Sequence, residues 1–301
     1  MFRRIIVAFD GSDRSLDALA LAQRLRDPDG GVLVLASVVE TSPWHLPRHG
    51  RGSTEPVHEE VALRLAGARA RIPTGIPARL RSPEASSAAR GLTVLAESEA
   101  ADLIVIGSSR HGTSGSISLE RTAGRLLNGA PCAVAVAPVD ARESDPFRHV
   151  GIAYDGSPEA DTALAAGYSV AAGSGAAVTL LTALPHHGGV SMPDGFERSD
   201  RLARLAAQER LDAAADTAPP GVNPRTLLLF GRPGEVIDAV CDGIVDLLVV
   251  GSRGYGPVER ALMGSVSSEL TEGARHPVLV LPRRRAAAPE RLTPLPAPAE
   301  A

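Results

Sequence analysis

The chain has 301 residues, 44% of them hydrophobic and 22% charged, which is long enough for two ordinary domains. Its formal net charge is −4, so it has no excess of positive charge for binding a phosphodiester backbone, and no nucleic-acid partner is expected. The sequence contains no lysine, and all 31 basic residues are arginine. Enzymes that need a lysine amine are therefore excluded, as are conventional P-loop ATPases and protein kinases.

The cysteines and the N-terminus indicate a cellular compartment. Cys132 and Cys241 lie far apart and lack metal-ligand spacing, so neither a disulfide framework nor a zinc site is expected, and both are interpreted as buried thiols. The chain enters a strand-like apolar run at Ile5, without a leader-like segment, and no apolar stretch is long enough to span a membrane. The sequence predicts a cytoplasmic protein without a membrane partner.

The chain repeats one unit. Residues 5–12, Ile-Ile-Val-Ala-Phe-Asp-Gly-Ser, return at 150–157 as Val-Gly-Ile-Ala-Tyr-Asp-Gly-Ser. The run Asp-Leu-Ile-Val-Ile-Gly-Ser at 102–108 returns at 246–252 as Asp-Leu-Leu-Val-Val-Gly-Ser. Two homologous domains are therefore predicted at 1–140 and 147–282, followed by a disordered tail rich in arginine, alanine and proline at 283–301.

Each unit alternates short Val/Ile/Leu runs with longer segments of helical period, which is typical of a parallel sheet covered on both faces. A helix is predicted after the capping hydroxyl of Ser157. Another is predicted from Arg198 to Asp216, with Leu202, Leu205, Ala206 and Leu211 on one face, the side expected to contact the core. The strands predicted in the second unit are 150–155, 177–183, 225–230, 246–251 and 277–282.

The most informative segment follows the fourth strand of the second unit. It reads Gly251-Ser252-Arg253-Gly254-Tyr255-Gly256, and Gly264-Ser265-Val266-Ser267 follows at a predicted helix start. Glycines after a parallel strand let backbone amides approach an anion, and a helix N-terminus adds donors and the positive end of its dipole. The simpler interpretation, that the glycines only turn a strand into a helix, remains open. If the first and fourth strands are neighbours, Asp155 at the end of the first faces this loop.

Both units resemble the universal stress protein domain. The marks are a first strand ending in Asp-Gly-Ser, a fourth strand Asp-Leu-Ile-Val-x-Gly-Ser, a Gly-x2-Gly-x9-Gly-Ser loop and a terminal Pro-Val-Leu-Val strand. The resemblance implies an α/β fold of two repeated doubly wound domains. Each domain would be a five-stranded parallel sheet of order 3-2-1-4-5 with helices on both faces.

The resemblance also implies an ATP site in the second unit, with ATP bound alone or together with Mg²⁺. Ala153, Asp155 and Ala183 would contact the adenosine end of the nucleotide. The residues that would surround the phosphates are Gly251, Arg253, Gly254, Gly264, Ser265, Val266 and Ser267.

The first unit departs from this pattern in the loop. At the positions of Gly254, Gly264 and Ser265 it carries Arg110, Glu120 and Arg121. A carboxylate at a phosphate position repels the ligand, and a side chain at each glycine position blocks the backbone approach. We therefore expect one ATP per chain, in the second unit. An alternative cradle built on Gly112 and Gly115 of the first unit remains open.

The leading functional hypothesis is an ATP-binding signalling or stress-adaptation protein with an unidentified protein partner. No catalytic and no metal-binding residue is expected. The alternatives are an ATP-dependent enzyme of the related adenine-nucleotide hydrolase fold and an interaction scaffold that binds no nucleotide. The fifth strands, 132–137 and 277–282, are predicted to be sheet edges, so the two units are expected to pack as an intramolecular pseudo-dimer, and a homodimer of chains remains open.

Overall fold

The computed structural model describes residues 1–41, 55–108, 121–140, 145–185, 194–252 and 265–282. In the first half the elements are β1 Arg4–Ala8, α1 Asp13–Leu25, β2 Val32–Ala36, β3 Val39–Glu40, α2 Glu55–Arg69, β4 Ala78–Arg81, β5 Glu84–Ala85, α3 Ala88–Ser98, β6 Leu103–Gly107, α4 Arg121–Gly129 and β7 Ala133–Ala137. In the second half they are β8 His149–Ala153, α5 Pro158–Ser174, β9 Ala177–Leu184, α6 Asp194–Ala215, β10 Pro224–Phe230, α7 Pro233–Cys241, β11 Leu247–Gly251, α8 Ser265–Thr271 and β12 Val278–Leu281.

The strand order confirms the predicted fold class. Within the described residues, the order is β4-β2-β1-β6-β7 in the first half and β10-β9-β8-β11-β12 in the second, so both are 3-2-1-4-5 sheets. All neighbouring strands within each of these sheets are parallel. One addition was not predicted: β3 and β5 form a separate two-stranded sheet.

The fifth strands of the two halves join them into one sheet. β7 and β12 pair antiparallel, with Val136 opposite Val278 and Val134 opposite Val280, which gives a continuous ten-stranded sheet. Each fifth strand would otherwise expose a row of unpaired backbone groups, and their pairing covers both. The halves therefore pack in the way that the sequence predicts.

Each face of the sheet carries a hydrophobic core that runs through both halves. Successive residues of a buried strand point to opposite faces, so Ile5 and Val7 lie in one cluster and Ile6 lies in the other. The first cluster packs against α1, α2, α5 and α6, and the second against α3, α4, α7 and α8. Cys132 and Cys241 lie in the second cluster, and burial raises the pKa of each thiol to about 12, which confirms them as buried thiols.

A pair of aspartates explains one of the repeated sequence marks. The carboxylate of Asp102, just before β6, accepts the backbone amides of Arg3 and Arg4 at 2.7 and 2.9 Å. Asp246, just before β11, accepts those of Arg148 and His149 at the same two distances. Each aspartate thus fastens the start of the first strand to the start of the fourth.

The core-facing side of α6 differs from the prediction. Leu211 is buried, but Leu202 and Leu205 are exposed by 59% and 54% of their surface. The residues that α6 buries are Ala207, Leu211 and Ala214, at a spacing of four and three. Two of these three buried residues are alanines, whereas Leu202, Leu205 and Ala206, which were predicted on the core-facing side, are exposed.

A buried aromatic contact also links the two halves. Phe147, which precedes β8, is 1% exposed, and the guanidinium carbon of Arg24 on α1 lies 3.9 Å from its ring centroid. Among the described residues, no helix is long and apolar enough to cross a membrane. The predicted tail at 283–301 lies outside the described residues.

Candidate functional site

The predicted ligand site begins where β8 and β11 end. These strands are neighbours, with Val249 paired to Ile152, so their last residues, Ala153 and Gly251, lie at the same edge of the sheet. In a doubly wound sheet this is the edge at which ligands bind. The first and fourth strands of this half, β8 and β11, are therefore neighbours, as the predicted site requires.

Asp155 shapes the turn from β8 into α5. Its Oδ1 accepts the amide of Ser157 at 2.9 Å, and Gly156 adopts φ +81°, a value that favours glycine. The hydroxyl of Ser157 in turn accepts the amide of Ala160 at 3.1 Å and caps α5. One carboxylate oxygen of Asp155 is thus committed to the turn, which orients the side chain at the end of the strand.

Gly251 has a packing role that the sequence did not reveal. A Cβ on this residue would lie 2.9 Å from the carbonyl carbon of Glu159, so only glycine lets the first turn of α5 approach β11. The carbonyl oxygen of Gly251 accepts the hydroxyl of Ser267 at 2.7 Å. Because a hydroxyl has one proton, Ser267 holds α8 against β11 and has no second proton for a phosphate.

Ala153 and Ala183 border the same edge. Ala153 pairs with Leu181 of β9, and Ala183 pairs with Leu229 of β10. Both alanines are half-buried, and the hydroxyl of Thr182 between the strands donates to the carbonyl of Tyr154. The carboxyl ends of β8 and β9 near Asp155 thus carry the small side chains of Ala153 and Ala183.

The phosphate end of the predicted site is only partly described. Arg253, Gly254 and Gly264 lie outside the described residues. Ser265 is the first residue of α8, and Val266 is half-buried. The residues that the structure brings together are therefore those of the strand ends and of α8.

The described surroundings of this edge are acidic. Glu159 is buried in the first turn of α5, and the phenol of Tyr154 donates to Asp161 at 2.9 Å. Burial, followed by the hydrogen bond to Asp161 and the charges of Asp161 and Asp155, raises the pKa of Tyr154 to about 12, so the phenol stays neutral near pH 7. The charge of Arg210 acts in the opposite direction, so a positive side chain also lies near this place.

The first half holds a cavity that the sequence did not predict. It encloses about 370 Å³ at the carboxyl ends of β1, β2 and β6. Arg14 of α1 and Arg64 of α2 line it, and neither residue belongs to a repeated motif. Arg110 and Glu120, on which the predicted loss of the nucleotide site rests, lie outside the described residues.

Comparison with family models gives one match in each half. The model of the universal stress protein family matches residues 1–138 and 146–282. The matched segments agree with the two halves of the structure, since β7 ends at Ala137 and β8 begins at His149.

Curated relatives carry the same family name. A universal stress protein of Mycobacterium tuberculosis is 30% identical over 191 residues, which cover 62% of this chain and 64% of that protein. Another from the same species is 25% identical over 305 residues and covers 92% of this chain and 99% of the relative. A universal stress protein of Thermus aquaticus is 34% identical over 137 residues, which is 45% of this chain and 98% of that protein.

Solved structures share the fold. A universal stress protein from Archaeoglobus fulgidus superimposes with a TM-score of 0.62 at 20% identity and covers 93% of this chain and 98% of its own. A structure described as a putative universal stress protein from Pseudomonas aeruginosa gives 0.61 at 16% identity, with 93% of each chain covered. These likenesses concern the fold of the whole tandem chain.

Proposed function

Because this chain belongs to the universal stress protein family, we propose that its second half binds ATP and that the nucleotide sets conformation or partner choice in a cytoplasmic stress response. One ATP binds per chain. The first half, with its altered loop, does not take the triphosphate.

A single combination of features supports this proposal. The turn built on Asp155 lies beside the end of β11, and the Gly-x2-Gly-x9-Gly-Ser spacing begins there at Gly251. Each feature alone also suits a strand-to-helix connection. Together they support a ligand site at the carboxyl ends of β8 and β11, where doubly wound sheets bind ligands.

The described residues fit the adenosine end of the nucleotide better than its phosphates. Ala153 and Ala183 leave room for an apolar ring, whereas Asp155 and Glu159 repel negative charge. In this proposal, bound Mg²⁺ and Arg253 supply positive charge to the phosphates. Removing Mg²⁺ with a chelator is therefore expected to weaken ATP binding.

Catalysis is little or absent in this proposal. Hydrolysis needs a group that orients the attacking water and a cation at the leaving oxygen. The hydroxyl of Ser267 donates its hydrogen bond to the carbonyl of Gly251, and the carboxylate of Asp155 accepts the amide of Ser157 within the turn. Neither group is therefore free to orient the water. Multiple-turnover hydrolysis above about 1 per second that Asp155→Asn abolishes would contradict this part of the proposal.

Titration calorimetry with ATP tests the site directly. The variant Gly264→Glu copies the residue of the first-half loop into the second. A carboxylate about 4 Å from a phosphate costs about 1–4 kcal/mol at surface-like dielectric, so affinity is expected to fall at least tenfold. The variant Glu120→Gln, at the corresponding position of the first half, is the matched control and should leave the ATP isotherm unchanged.

Two results would contradict the assignment. A stoichiometry near two would mean that the first half also binds ATP. Unchanged affinity in Gly264→Glu, with thermal unfolding like that of the wild type, would place the site elsewhere. The mass of any ligand released by denaturing the natively purified protein separates a nucleotide-binding protein from a nucleotide-free scaffold.

A further inference from the structure

The ten-stranded sheet has two outer edges, and they differ in length and charge. Within the described residues, β4 and β10 are the outermost strands, each paired on one side only. β4 has four residues, and two of them, Arg79 and Arg81, form ion pairs with Glu99 at 3.3 and 2.7 Å. Charges on a short edge strand oppose pairing with another chain. The first-half edge is therefore protected.

The second-half edge lacks this protection. β10 has seven residues, Pro-Arg-Thr-Leu-Leu-Leu-Phe at Pro224–Phe230, and Arg225 is its one charged residue. None of the seven is fully buried, although the leucines at 227–229 pack partly against the two cores. A long apolar edge strand with little charge is a template for pairing with another strand. β10 is thus the place at which the sheet can be extended.

The backbone of β10 directs part of its amides to this edge. The amide of Gly231, just after the strand, donates to the carbonyl of Leu184 in β9 at 2.9 Å. Successive residues of a strand direct their backbone groups to alternate sides, so every second residue of β10, counted back from Gly231, faces β9. The amides of Thr226, Leu228 and Phe230 therefore point away from β9 and towards the edge.

Helix α6 lies beside this edge and widens the same surface. Gln208 of α6 donates from Nε2 to the hydroxyl of Thr226 at 3.4 Å, so this side of the helix lies over β10. Arg201, Leu205 and Asp212 share a helical row with Gln208, at a spacing of four, three and four residues. These four residues form the outer row of α6. Its two end residues and Leu205 are exposed, so the row presents a positive end, a leucine and a negative end.

The edge is complementary to a copy of itself. When a two-fold axis perpendicular to the sheet passes through Leu227, β10 pairs antiparallel with the β10 of a second copy along all seven residues. Thr226 of each copy then lies opposite Leu228 of the other. Both residues direct their amides to the edge, as a hydrogen-bonded antiparallel pair requires. The two α6 helices lie on the same face of the joined sheet and run antiparallel.

Charge favours this alignment. Arg204 and Gln208 contact β10 at its last and its third residue, so the middle of the outer row is close to the middle of the strand. The axis therefore brings Arg201 of each copy towards Asp212 of the other. Two pairs of opposite charge result, one at each end of the contact, and such pairs fix the alignment of an interface.

Size and sequence both favour a second copy as the occupant of this edge. Seven strand residues span about 23 Å, and a sheet with a helix layer on each face is about 30 Å deep. The product, roughly 700 Å² per copy, is close to the value of about 800 Å² per partner that is typical of stable interfaces. The C-terminal residues 283–301 suit the edge less well, because they include four prolines, and proline cannot donate to a strand ladder.

We propose that the β10 edge, made of β10 and the outer row of α6, joins two copies of the chain into a two-fold symmetric dimer. The two ten-stranded sheets become one continuous sheet. This contact leaves the pairing of β7 with β12 inside each chain untouched. It is also separate from the proposed ATP site at the ends of β8 and β11, so either proposal can fail without the other.

Sedimentation equilibrium of the full-length chain without nucleotide tests the proposal. A dimer is expected at about 100 µM chain, since interfaces of this size have micromolar or tighter dissociation constants. Thr226→Pro removes one edge-facing amide and keeps the bonds to β9, and Leu205→Glu puts an acid of each copy into the contact. Each should weaken dimerisation at least tenfold. The matched controls lie on the first-half edge, Leu80→Pro on β4 and Leu63→Glu on α2, and should leave the dimer unchanged.

A charge exchange tests the symmetry of the contact. Arg201→Asp and Asp212→Arg each put like charges together across the axis and should weaken dimerisation about fivefold or more. The double variant restores opposite charges and should return the affinity to within about threefold of the wild type. Circular dichroism like that of the wild type verifies that each variant folds.

Four results would overturn the inference. The first is a wild-type chain that stays monomeric at this concentration. The second is a dimer that Thr226→Pro and Leu205→Glu both leave intact. The third is loss of the dimer in Leu80→Pro, which would put the contact on the other edge. The fourth is a charge-exchanged double variant that dimerises no better than the single variants.

Discussion

Gly107 and Gly251 end the fourth strand of their halves, and the structure gives both the same physical reason. A Cβ on Gly107 would lie 2.1 Å from the carbonyl oxygen of Arg14, and one on Gly251 would lie 2.9 Å from the carbonyl carbon of Glu159. In both halves the obstacle is backbone, which cannot rotate away as a side chain can. These glycines are therefore needed for packing whether or not a ligand binds.

Gly107→Ala is expected to lower the free energy of unfolding by about 1–3 kcal/mol, because the first turn of α1 must shift away from β6. Gly67→Ala is the matched control, since a Cβ there meets no atom within 4 Å and the residue lies inside α2. It should stabilise the protein by about 0.5–1 kcal/mol. Urea unfolding of both variants tests the pair, and a Gly107→Ala protein as stable as the wild type would refute the packing argument.

At the scale of elements, the aspartates before β6 and β11 fasten strands that are about 100 residues apart in sequence. In the sequence these aspartates stand out only as marks of the repeat. Each aspartate accepts backbone amides from a strand that is distant in sequence. This role depends on how the two strands are aligned, and the sequence alone does not show that alignment.

Asp246→Ala is expected to lower the free energy of unfolding by about 1–3 kcal/mol, because two backbone amides at the start of β8 lose a charged acceptor. Asp242→Ala is the control four residues earlier. Its carboxylate is 48% exposed and lies 3.4 Å from Arg275, and such surface pairs contribute less than about 1 kcal/mol. Equal losses of stability in the two variants, measured by urea unfolding, would argue against the fastening role.

The elements also show how far the sequence predicts the fold. The strands of the second half were predicted within about two residues, because fully buried parallel strands are short, nearly continuous apolar runs. On α6, helical period and apolar content favoured Leu202 and Leu205, whereas the sheet packs against Ala207 and Ala214. Hydrophobicity alone does not reveal that close packing of a helix on a sheet needs small residues.

The candidate sites show the same limit. The motif predicts Asp155 and Gly251 as site residues, and the pairing of β8 with β11 puts both at the carboxyl ends of neighbouring strands. The first-half cavity was missed because Arg64 comes from α2, and its side chain crosses the turn at Gly11, where a Cβ would lie 3.0 Å from its Cδ. Such a contact depends on how α2 docks, and no local spacing encodes it.

At the scale of the molecule, a continuous sheet with shared cores on both faces predicts cooperative unfolding. Calorimetry of the full chain is expected to show one transition. Phe147→Ala, which removes a buried ring between the halves, should lower the free energy of unfolding by about 3–5 kcal/mol. The temperature of the single transition should fall with it.

Phe230→Ala is the matched control. Phe230 also has an arginine above its ring, with the Arg204 guanidinium carbon 4.4 Å from the centroid, but it is 39% exposed and ends the outermost strand, β10. Phe230→Ala should lower the free energy of unfolding much less than Phe147→Ala, because the Phe230 ring buries less apolar surface. Two separate transitions in the wild type would mean that the halves unfold independently. Equal losses of stability in the two variants would contradict the importance given to the buried Phe147 ring.

The antiparallel junction of β7 with β12 has a geometric consequence. All strands of one half run in one direction and those of the other half run in the reverse direction, so their carboxyl ends point to opposite rims of the shared sheet. The mouth of the first-half cavity and the proposed ATP site therefore open on opposite sides of the molecule. A small ligand bound at one rim is therefore not expected to reach the other rim.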